Sequence, residues 1–234
     1  MKSHLRALCI TSSLAVALFS AATSAHADTV SGTAYCGISS PIGNGGQGSN
    51  YAIQAPTLAT LSDAIATSGG QCASFTSSTI NFNAGYTNSE TSLAGFLNST
   101  PGNLQTVSYI GNPTGSQSFN GTLLVLTGYT YLTTGQSIAL SHDDGVNLYV
   151  TDSGNVTTLI SPAGSQDQTD AGQLPFTFTG ASGEYAFELI YTSNYEAPAE
   201  LVSDISEAPE PSSFLLLGSG LLGAAGLIRR RVTR

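Results

Sequence analysis

Apolar and polar residues alternate along much of the second half of the chain. One series of apolar positions is Ile138, Leu140, Val146, Leu148 and Val150. Two further series are Phe176 with Phe178, and Tyr185 with Phe187, Leu189 and Tyr191. A period of two buries one face of a β-strand, and short runs separated by Gly and Asn are typical of antiparallel sheets. The pattern predicts an all-β fold, an antiparallel β-sandwich.

Turn residues and weak helical signals refine this picture. Residues 152–155 and 180–183 are rich in Gly, Ser, Asn or Asp and predict turns. The first turn predicts a hairpin between Val146–Thr151 and residues 156–160. Only residues 58–66 and 91–98 have a pattern that favours a few turns of helix.

The N-terminus has the pattern of an export signal. Lys2 and Arg6 precede an apolar run over residues 7–22, and the stretch ends in Ala-His-Ala before Asp28. The run is too short and too weakly flanked for a stable membrane span. Residues 1–27 are therefore predicted to be a signal helix that is removed on export, and a retained anchor is the alternative.

Three features follow one another in the last residues of the sequence. A Pro-Glu-Pro triplet precedes an apolar, Gly-rich run over residues 214–228, and three arginines follow. The run is shorter than the ~20 residues that cross a bilayer comfortably, and basic residues stay on the cytoplasmic side. We expect a short transmembrane helix that holds the chain briefly in the inner membrane. The flanking residues are Pro209, Glu210, Pro211, Arg229, Arg230 and Arg231.

This order resembles the PEP-CTERM sorting signal of Gram-negative bacteria, over residues 208–234. The resemblance implies recognition by an exosortase, cleavage near residues 209–211, and passage to the cell surface or the exopolysaccharide matrix. An ordinary tail anchor is the alternative. The signal peptide at residues 1–27 and the sorting signal at residues 208–234 leave residues 28–207 as the secreted domain.

Charge is distributed unequally along the chain. All six Lys and Arg lie outside residues 28–228, whereas all fifteen Asp and Glu lie inside them. Nucleic-acid binding depends on cationic contacts with phosphates, so this class of function is excluded. Cations are the natural partners of such an acidic surface.

Cys36 and Cys72 are the cysteines that remain after signal removal. An even pair in an exported chain predicts a disulfide, and two separate buried thiols are the alternative.

Residues 141–150 read SHDDGVNLYV and place two adjacent carboxylates, Asp143 and Asp144, before an apolar strand. Adjacent strand side chains point to opposite faces, so both reach one ligand only if the backbone bends or the peptide between them is cis. Gly145 permits such a bend. Calcium binds six to eight oxygens and is the candidate ligand. The alternative is a turn whose Asp side chains accept backbone N–H groups.

The stretch HDDGVNLYV, followed by a hairpin and YAFELIYTSNYEAPAEL, resembles the second half of a PA14-type β-sandwich over about residues 120–205. The resemblance implies a jelly-roll type of sandwich. In the lectin-like branch, adjacent aspartates bind calcium through a cis peptide, and the calcium contacts a sugar. By position, Asp143 and Asp144 are the metal-binding pair, and residues 193–196 supply further ligands, of which Asn194 and Glu196 are the best oxygen donors. The chain before Gly121 shows little of the family's N-terminal half.

Three other groups of residues are candidates for a chemical role. Ser141 and Asp143 flank His142, but strand neighbours point apart and do not form a triad. Asp167 and Asp170 are typical of a solvated loop. Four tyrosines are candidates for stacking on sugars or for ordinary packing: Tyr129, Tyr131, Tyr149 and Tyr195.

Together these patterns predict an exported, exosortase-processed, non-enzymatic protein of the cell surface or exopolysaccharide matrix. Its predicted ligands are calcium and, through calcium, a glycan. A structural matrix protein without a specific ligand is the first alternative, and an exopolysaccharide hydrolase is the second.

Overall fold

Antiparallel strands form most of the structure, as the alternation of apolar residues predicts. The computed structural model describes residues 29–38, 55–84, 92–161, 172–173, 175–193 and 199–206. All of these belong to one unit, Ala27–Glu207. The predicted signal helix and the predicted membrane helix at residues 214–228 lie outside the described residues. Within the described residues, no helix is long and apolar enough to cross a membrane.

The strands and helices follow one another in a simple order. In the first half they are β1 (Val30–Tyr35), α1 (Leu61–Ala66), β2 (Gln71–Ser77), β3 (Ile80–Asn83), α2 (Leu93–Leu97) and β4 (Leu104–Tyr109). The second half has β5 (Thr122–Leu132), β6 (Ser137–Ile138), β7 (Leu140–Asp143), β8 (Val146–Thr151), β9 (Thr157–Leu159), β10 (Gly172–Gln173), β11 (Phe176–Thr177), β12 (Gly183–Ser193) and β13 (Glu200–Ser203). A 3₁₀ helix, Asp204–Ser206, follows β13. The two weak helical signals contain α1 and α2, so the fold is mostly rather than entirely β.

Two antiparallel sheets account for most of these strands. One has seven strands in the order β4-β2-β1-β5-β12-β8-β9, and the other has four in the order β10-β7-β13-β3. A short pair, β11-β6, is separate from both. The predicted hairpin is confirmed, because β8 pairs with β9 and Asp152 Oδ1 accepts the N–H groups of Gly154 and Val156 at 2.8 and 2.9 Å. An Asp side chain that caps its own turn in this way is an Asx turn.

The two larger sheets bury one face each in a common core. Alternate residues of both sheets belong to a single cluster of buried side chains, which confirms the predicted sandwich. Phe96 of α2 lies within this cluster and stacks on Phe119 at a ring-centroid distance of 4.0 Å. Members from the two sheets include Ala34, Phe75, Leu124, Leu126, Leu148, Leu189 and, opposite them, Ile80, Phe82, Leu140 and Leu201.

Within the described residues, one part of the outer face of the seven-stranded sheet is covered. There Leu123, Tyr149 and Ile190 form a second buried cluster with Ala55 and with Ala64 of α1. The Asn147 side chain donates hydrogen bonds from this face to the carbonyl groups of Ala55 and Pro56, at 2.9 and 3.1 Å. These bonds hold the segment before α1 against the sheet.

The predicted disulfide between Cys36 and Cys72 is present. It joins the end of β1 to the start of β2, two strands that already pair with each other. The Thr122 hydroxyl and the Gln117 amide group contact Cys36 Sγ at 3.8 and 3.9 Å. The bond therefore closes the connection that contains α1.

Replacement of both cysteines by serine should lower the free energy of unfolding. The bond closes a loop with a sequence separation of 36 residues. In the chain-entropy treatment, such a closure stabilises by roughly 3–4 kcal/mol. We expect a loss of that size for the full-length Cys36→Ser/Cys72→Ser variant in urea unfolding. Reductant should destabilise the natural protein to the level of the variant and leave the variant unchanged. If reductant left the free energy of unfolding of the natural protein unchanged, the prediction would be contradicted.

Candidate functional site

The paired aspartates lie where the chain passes from one sheet to the other. Strand β7 of the four-stranded sheet ends at Asp143, and β8 of the seven-stranded sheet begins at Val146. Asp144 and Gly145 make the crossing, and the peptide bond between Asp143 and Asp144 is cis. We refer to Asp143, Asp144 and Gly145 as the aspartate corner.

Both carboxylates of the aspartate corner are buried. Asp143 and Asp144 are each 2% exposed, and the preceding His142 is 1% exposed. Burial of an ionised carboxylate is expensive unless its charge is compensated. Residues 7–228 contain no Lys or Arg. No Lys or Arg side chain is therefore available to compensate these charges, which leaves hydrogen-bond donors, a proton, His142 or a bound cation.

The three carbonyl groups of the corner accept hydrogen bonds from the surrounding protein. The Tyr191 hydroxyl donates to the Asp143 carbonyl oxygen, and His142 Nδ1 donates to that of Asp144. The backbone N–H of Thr192 donates to the Gly145 carbonyl oxygen at 2.9 Å. Strand β12 therefore fixes the path of the corner through two consecutive residues.

Tyr191 is fully buried, and its ionisation is strongly opposed. Burial raises its pKa well above the ordinary value, and the negative charges of Asp144, Asp143 and Glu200 raise the pKa further. The phenol therefore keeps its proton at neutral pH and remains a donor to the corner. Its ring also stacks on Phe119 at 6.2 Å and on Phe96 at 6.0 Å, which ties the corner to the core.

Glu200 is a third carboxylate at this position, and the sequence analysis did not single it out. It pairs directly with Asp143 across β13 and β7, so the two side chains leave the same face of the sheet. Its oxygens accept hydrogen bonds from the Ser141 hydroxyl and, at 2.8 Å, from the Asn83 amide group. In the sequence, Glu200 is marked only by its place between Ala199 and Leu201. Its pairing with Asp143 is not visible there, because one sequence does not show which strands pair.

The other predicted calcium ligands, Asn194 and Glu196, lie outside the described residues. The residues on either side of segment 194–198 are close to the corner: Thr192 bonds to Gly145, and Glu200 pairs with Asp143. Within the described part of the chain, no three His, Cys, Asp or Glu side chains form a metal-binding group. Additional ligands at the corner would therefore be carbonyl, amide or water oxygens, or side chains of residues 194–198.

The remaining candidate residues differ in their burial and in the direction of their side chains. Ser141 bonds to Glu200 on the outer face, whereas His142 is buried and pairs with Leu201, so the two side chains point apart as predicted. Among the tyrosines, Tyr149 is 8% exposed and packs in the second cluster, but Tyr129 and Tyr131 are 57% and 51% exposed. Asp167, Asp170 and Tyr195 lie outside the described residues.

Residues 207–231 match the PEP-CTERM protein-sorting motif. The predicted sorting signal is confirmed, and the matched range contains the Pro-Glu-Pro triplet and all three arginines of the pattern. The motif implies an exported protein that is targeted by exosortase.

Solved structures that are similar to the chain include two PA14 domains, the family that the sequence pattern resembles. One is a PA14 sugar-binding domain from an RTX adhesin, at 17% identity and a TM-score of 0.42 over 74% of this chain and 86% of that chain. The other is the PA14 domain of the MpAFP antifreeze protein, at 18% identity and a TM-score of 0.42 over 74% and 78%. No curated protein sequence matches the chain.

Replacement of Tyr191 by phenylalanine should destabilise the protein through the aspartate corner. The variant removes the hydroxyl that donates to the buried Asp143 carbonyl group. Loss of a buried donor typically costs about 1–3 kcal/mol. Tyr185→Phe is the matched control, because its hydroxyl donates to the exposed Ala181 carbonyl at 2.7 Å and should matter less. Equal losses for the two variants in urea unfolding would show that the corner does not depend on Tyr191.

Alkaline pH should weaken the same hydrogen bond, from the Tyr191 hydroxyl to the Asp143 carbonyl group. Because the pKa of Tyr191 is raised in the folded state, its contribution to stability is complete below the unfolded-state pKa of about 10. The contribution is lost as the pH rises from there through the folded-state pKa. Between pH 8 and pH 11 the natural protein should therefore lose more free energy of unfolding than Tyr191→Phe. The same loss in both proteins would contradict the assignment.

Proposed function

We propose that this protein is a non-catalytic component of the cell surface or exopolysaccharide matrix, which binds calcium at the aspartate corner and a glycan through the calcium. The sorting motif supports export and exosortase processing. The observation that carries the calcium proposal is the burial of Asp143 and Asp144, each 2% exposed, in a chain segment without Lys or Arg. A divalent cation compensates two buried negative charges at once.

The chemistry of the surrounding residues fits calcium rather than a softer metal. Calcium prefers carboxylate, amide and carbonyl oxygens, whereas zinc and copper favour sulfur and imidazole nitrogen. Asp143 and Asp144 would hold the ion, and Asn194 and Glu196 would add oxygens from the segment that begins and ends beside them. When bound, calcium supplies open coordination positions to sugar hydroxyl groups.

Glu200 has a supporting role in this proposal. Its carboxylate is oriented by Ser141 and Asn83 and lies beside Asp143. Like charges directly opposite on neighbouring strands destabilise a sheet. A cation at the corner relieves this repulsion, so Glu200 increases the affinity for the cation without a direct bond to it.

A structural role without a ligand is the second candidate. The observation in its favour is that Tyr191, His142 and Thr192 all donate hydrogen bonds to carbonyl groups of the corner. The protein's own groups then shape the bend, and the aspartates serve the turn alone. In this case the protein is a matrix component whose sandwich has no calcium-dependent ligand.

A thermal melt in calcium and in chelator tests the proposal. A ligand present at 100 times its dissociation constant stabilises the folded state by about 2.7 kcal/mol. We expect the full-length protein to melt at a higher temperature in excess calcium, and Asp143→Asn/Asp144→Asn to show no such shift. Glu200→Gln should keep the shift but require more calcium. A glycan bound at the aspartate corner should be released by chelator.

Asp63→Asn is the control for the loss of surface charge, since Asp63 lies on the exposed side of α1. Its calcium response should match that of the natural protein. An identical melting temperature in calcium and chelator would remove the calcium proposal and leave the structural matrix role.

A further inference from the structure

The outer face of the seven-stranded sheet has an open part beyond the cluster that α1 covers. Tyr129 and Tyr131 of β5 leave the sheet on this face and are 57% and 51% exposed. Solvated faces of antiparallel sheets usually expose polar side chains. Two exposed aromatic rings on alternate positions of one strand therefore stand out from their surroundings.

Strand pairing places two carboxylates beside these tyrosines. Tyr131 pairs with Glu184 of β12, and Tyr129 pairs with Ala186. Two residues further along β12, Glu188 leaves the same face. On the other side of Ala186 lies Thr151 of β8.

The register of β5, β12 and β8 predicts a shallow trough at these positions. Ala186 is its floor, because its side chain is the smallest of the set. Cross-strand neighbours on one face have Cβ atoms about 4.5–5.5 Å apart, so Tyr129 and Thr151 form the two sides. Glu184 and Glu188 stand at the two ends, and their Cα atoms are about 13 Å apart along the strand. We call Tyr129, Tyr131, Thr151, Glu184, Ala186 and Glu188 the tyrosine face.

The chemistry of the tyrosine face selects the ligand. A tyrosine ring offers an apolar surface to the C–H face of a sugar and attracts a nearby cation. Carboxylates accept hydrogen bonds from hydroxyl groups and, more strongly, from ammonium groups. Glu188 is half-buried, and this burial raises the pKa of its carboxyl group. Acidic sugars are repelled, because residues 7–228 carry no Lys or Arg to receive them.

We propose that the tyrosine face binds a polymer of amine-bearing hexoses, such as β-1,4-linked glucosamine, without calcium. The ring faces of successive sugars lie on Tyr129 and Tyr131, and their ammonium groups lie near Glu184 and Glu188. The face is separate from the aspartate corner. The corner precedes Val146 at the start of β8, whereas Thr151 is the last residue of that strand, about 17 Å away.

Calorimetric titration of the full-length protein with a glucosamine hexamer, in the presence of chelator, tests the inference. We expect binding by the natural protein and a loss of about tenfold or more in affinity for Tyr129→Ala/Tyr131→Ala, from the aromatic contacts that two rings supply. Tyr129→Phe/Tyr131→Phe keeps the rings and should keep most of the affinity. Ile110→Ala is the control, because Ile110 is an exposed apolar residue, 47% exposed, beyond the end of β4.

A comparison of two sugars tests whether binding depends on the positive charge of the ammonium groups. The natural protein should bind the glucosamine hexamer more tightly than the N-acetylated hexamer, whose nitrogen carries no charge. Glu184→Gln/Glu188→Gln should remove that preference, whereas Asp63→Asn should leave it unchanged. Melting temperatures of all variants in the absence of sugar establish that they are folded.

Three results would overturn the inference: no binding of the hexamer in chelator, equal affinity for the natural protein and the Tyr129→Ala/Tyr131→Ala variant, or binding that requires calcium. The last result would assign the sugar to the aspartate corner and support the proposed function while removing the tyrosine face. Binding in chelator that persists in Asp143→Asn/Asp144→Asn supports the tyrosine face whether or not the corner binds calcium.

Discussion

Every carboxylate of the folded region has to be accommodated without a lysine or arginine. Residues 7–228 contain neither, although all fifteen Asp and Glu of the chain lie within them. Exposed salt bridges contribute little to most proteins, so their absence is tolerable for stability. The sandwich relies instead on its strand pairing, its common core and the disulfide between Cys36 and Cys72. The constraint becomes severe only where a carboxylate leaves water.

The molecule responds to this constraint differently at its two acidic surfaces. At the aspartate corner, the carboxylates are buried, and the backbone carbonyls accept hydrogen bonds from Tyr191, His142 and Thr192. On the tyrosine face, Glu184 is exposed and Glu188 is half-buried. There the shape comes from strand pairing and from the small side chain of Ala186. The aspartate corner suits a compact cation, and the tyrosine face suits an extended ligand that carries its charges along a chain.

The alternation of side chains predicted β8 and β12, because their core-facing residues recur with a period of two, although their outer face is also buried where α1 covers it. The first half was less readable for identifiable reasons. Strand β1 contains Gly32, where a Cβ atom would lie 2.2 Å from the Phe75 ring, so the partner strand fills the space that an apolar side chain normally occupies. Strand β4 is an edge strand whose residues are mostly exposed, so it shows little alternation. Within the site, Asp143 and Asp144 were visible as a sequence pair. Glu200 was not, since it meets Asp143 only through the pairing of strands that are distant in sequence.

The sorting motif begins directly after the folded region, and this bears on what holds the protein at its destination. Ile205 of the 3₁₀ helix is 1% exposed, and the Asp204 carboxylate accepts the Ala139 N–H at 3.0 Å, so the fold is intact up to this point. The match to the motif starts at residue 207. Cleavage near residues 209–211, the position that we expect from the sorting signal, would leave almost no chain beyond β13 and would remove the apolar run over residues 214–228. If the predicted signal peptide is also removed, retention without a new covalent link has to come from the surfaces of the sandwich. For an acidic body without basic residues, a cation-bridged glycan or an amine-bearing polymer is a far better anchor than an acidic polysaccharide or an anionic membrane surface.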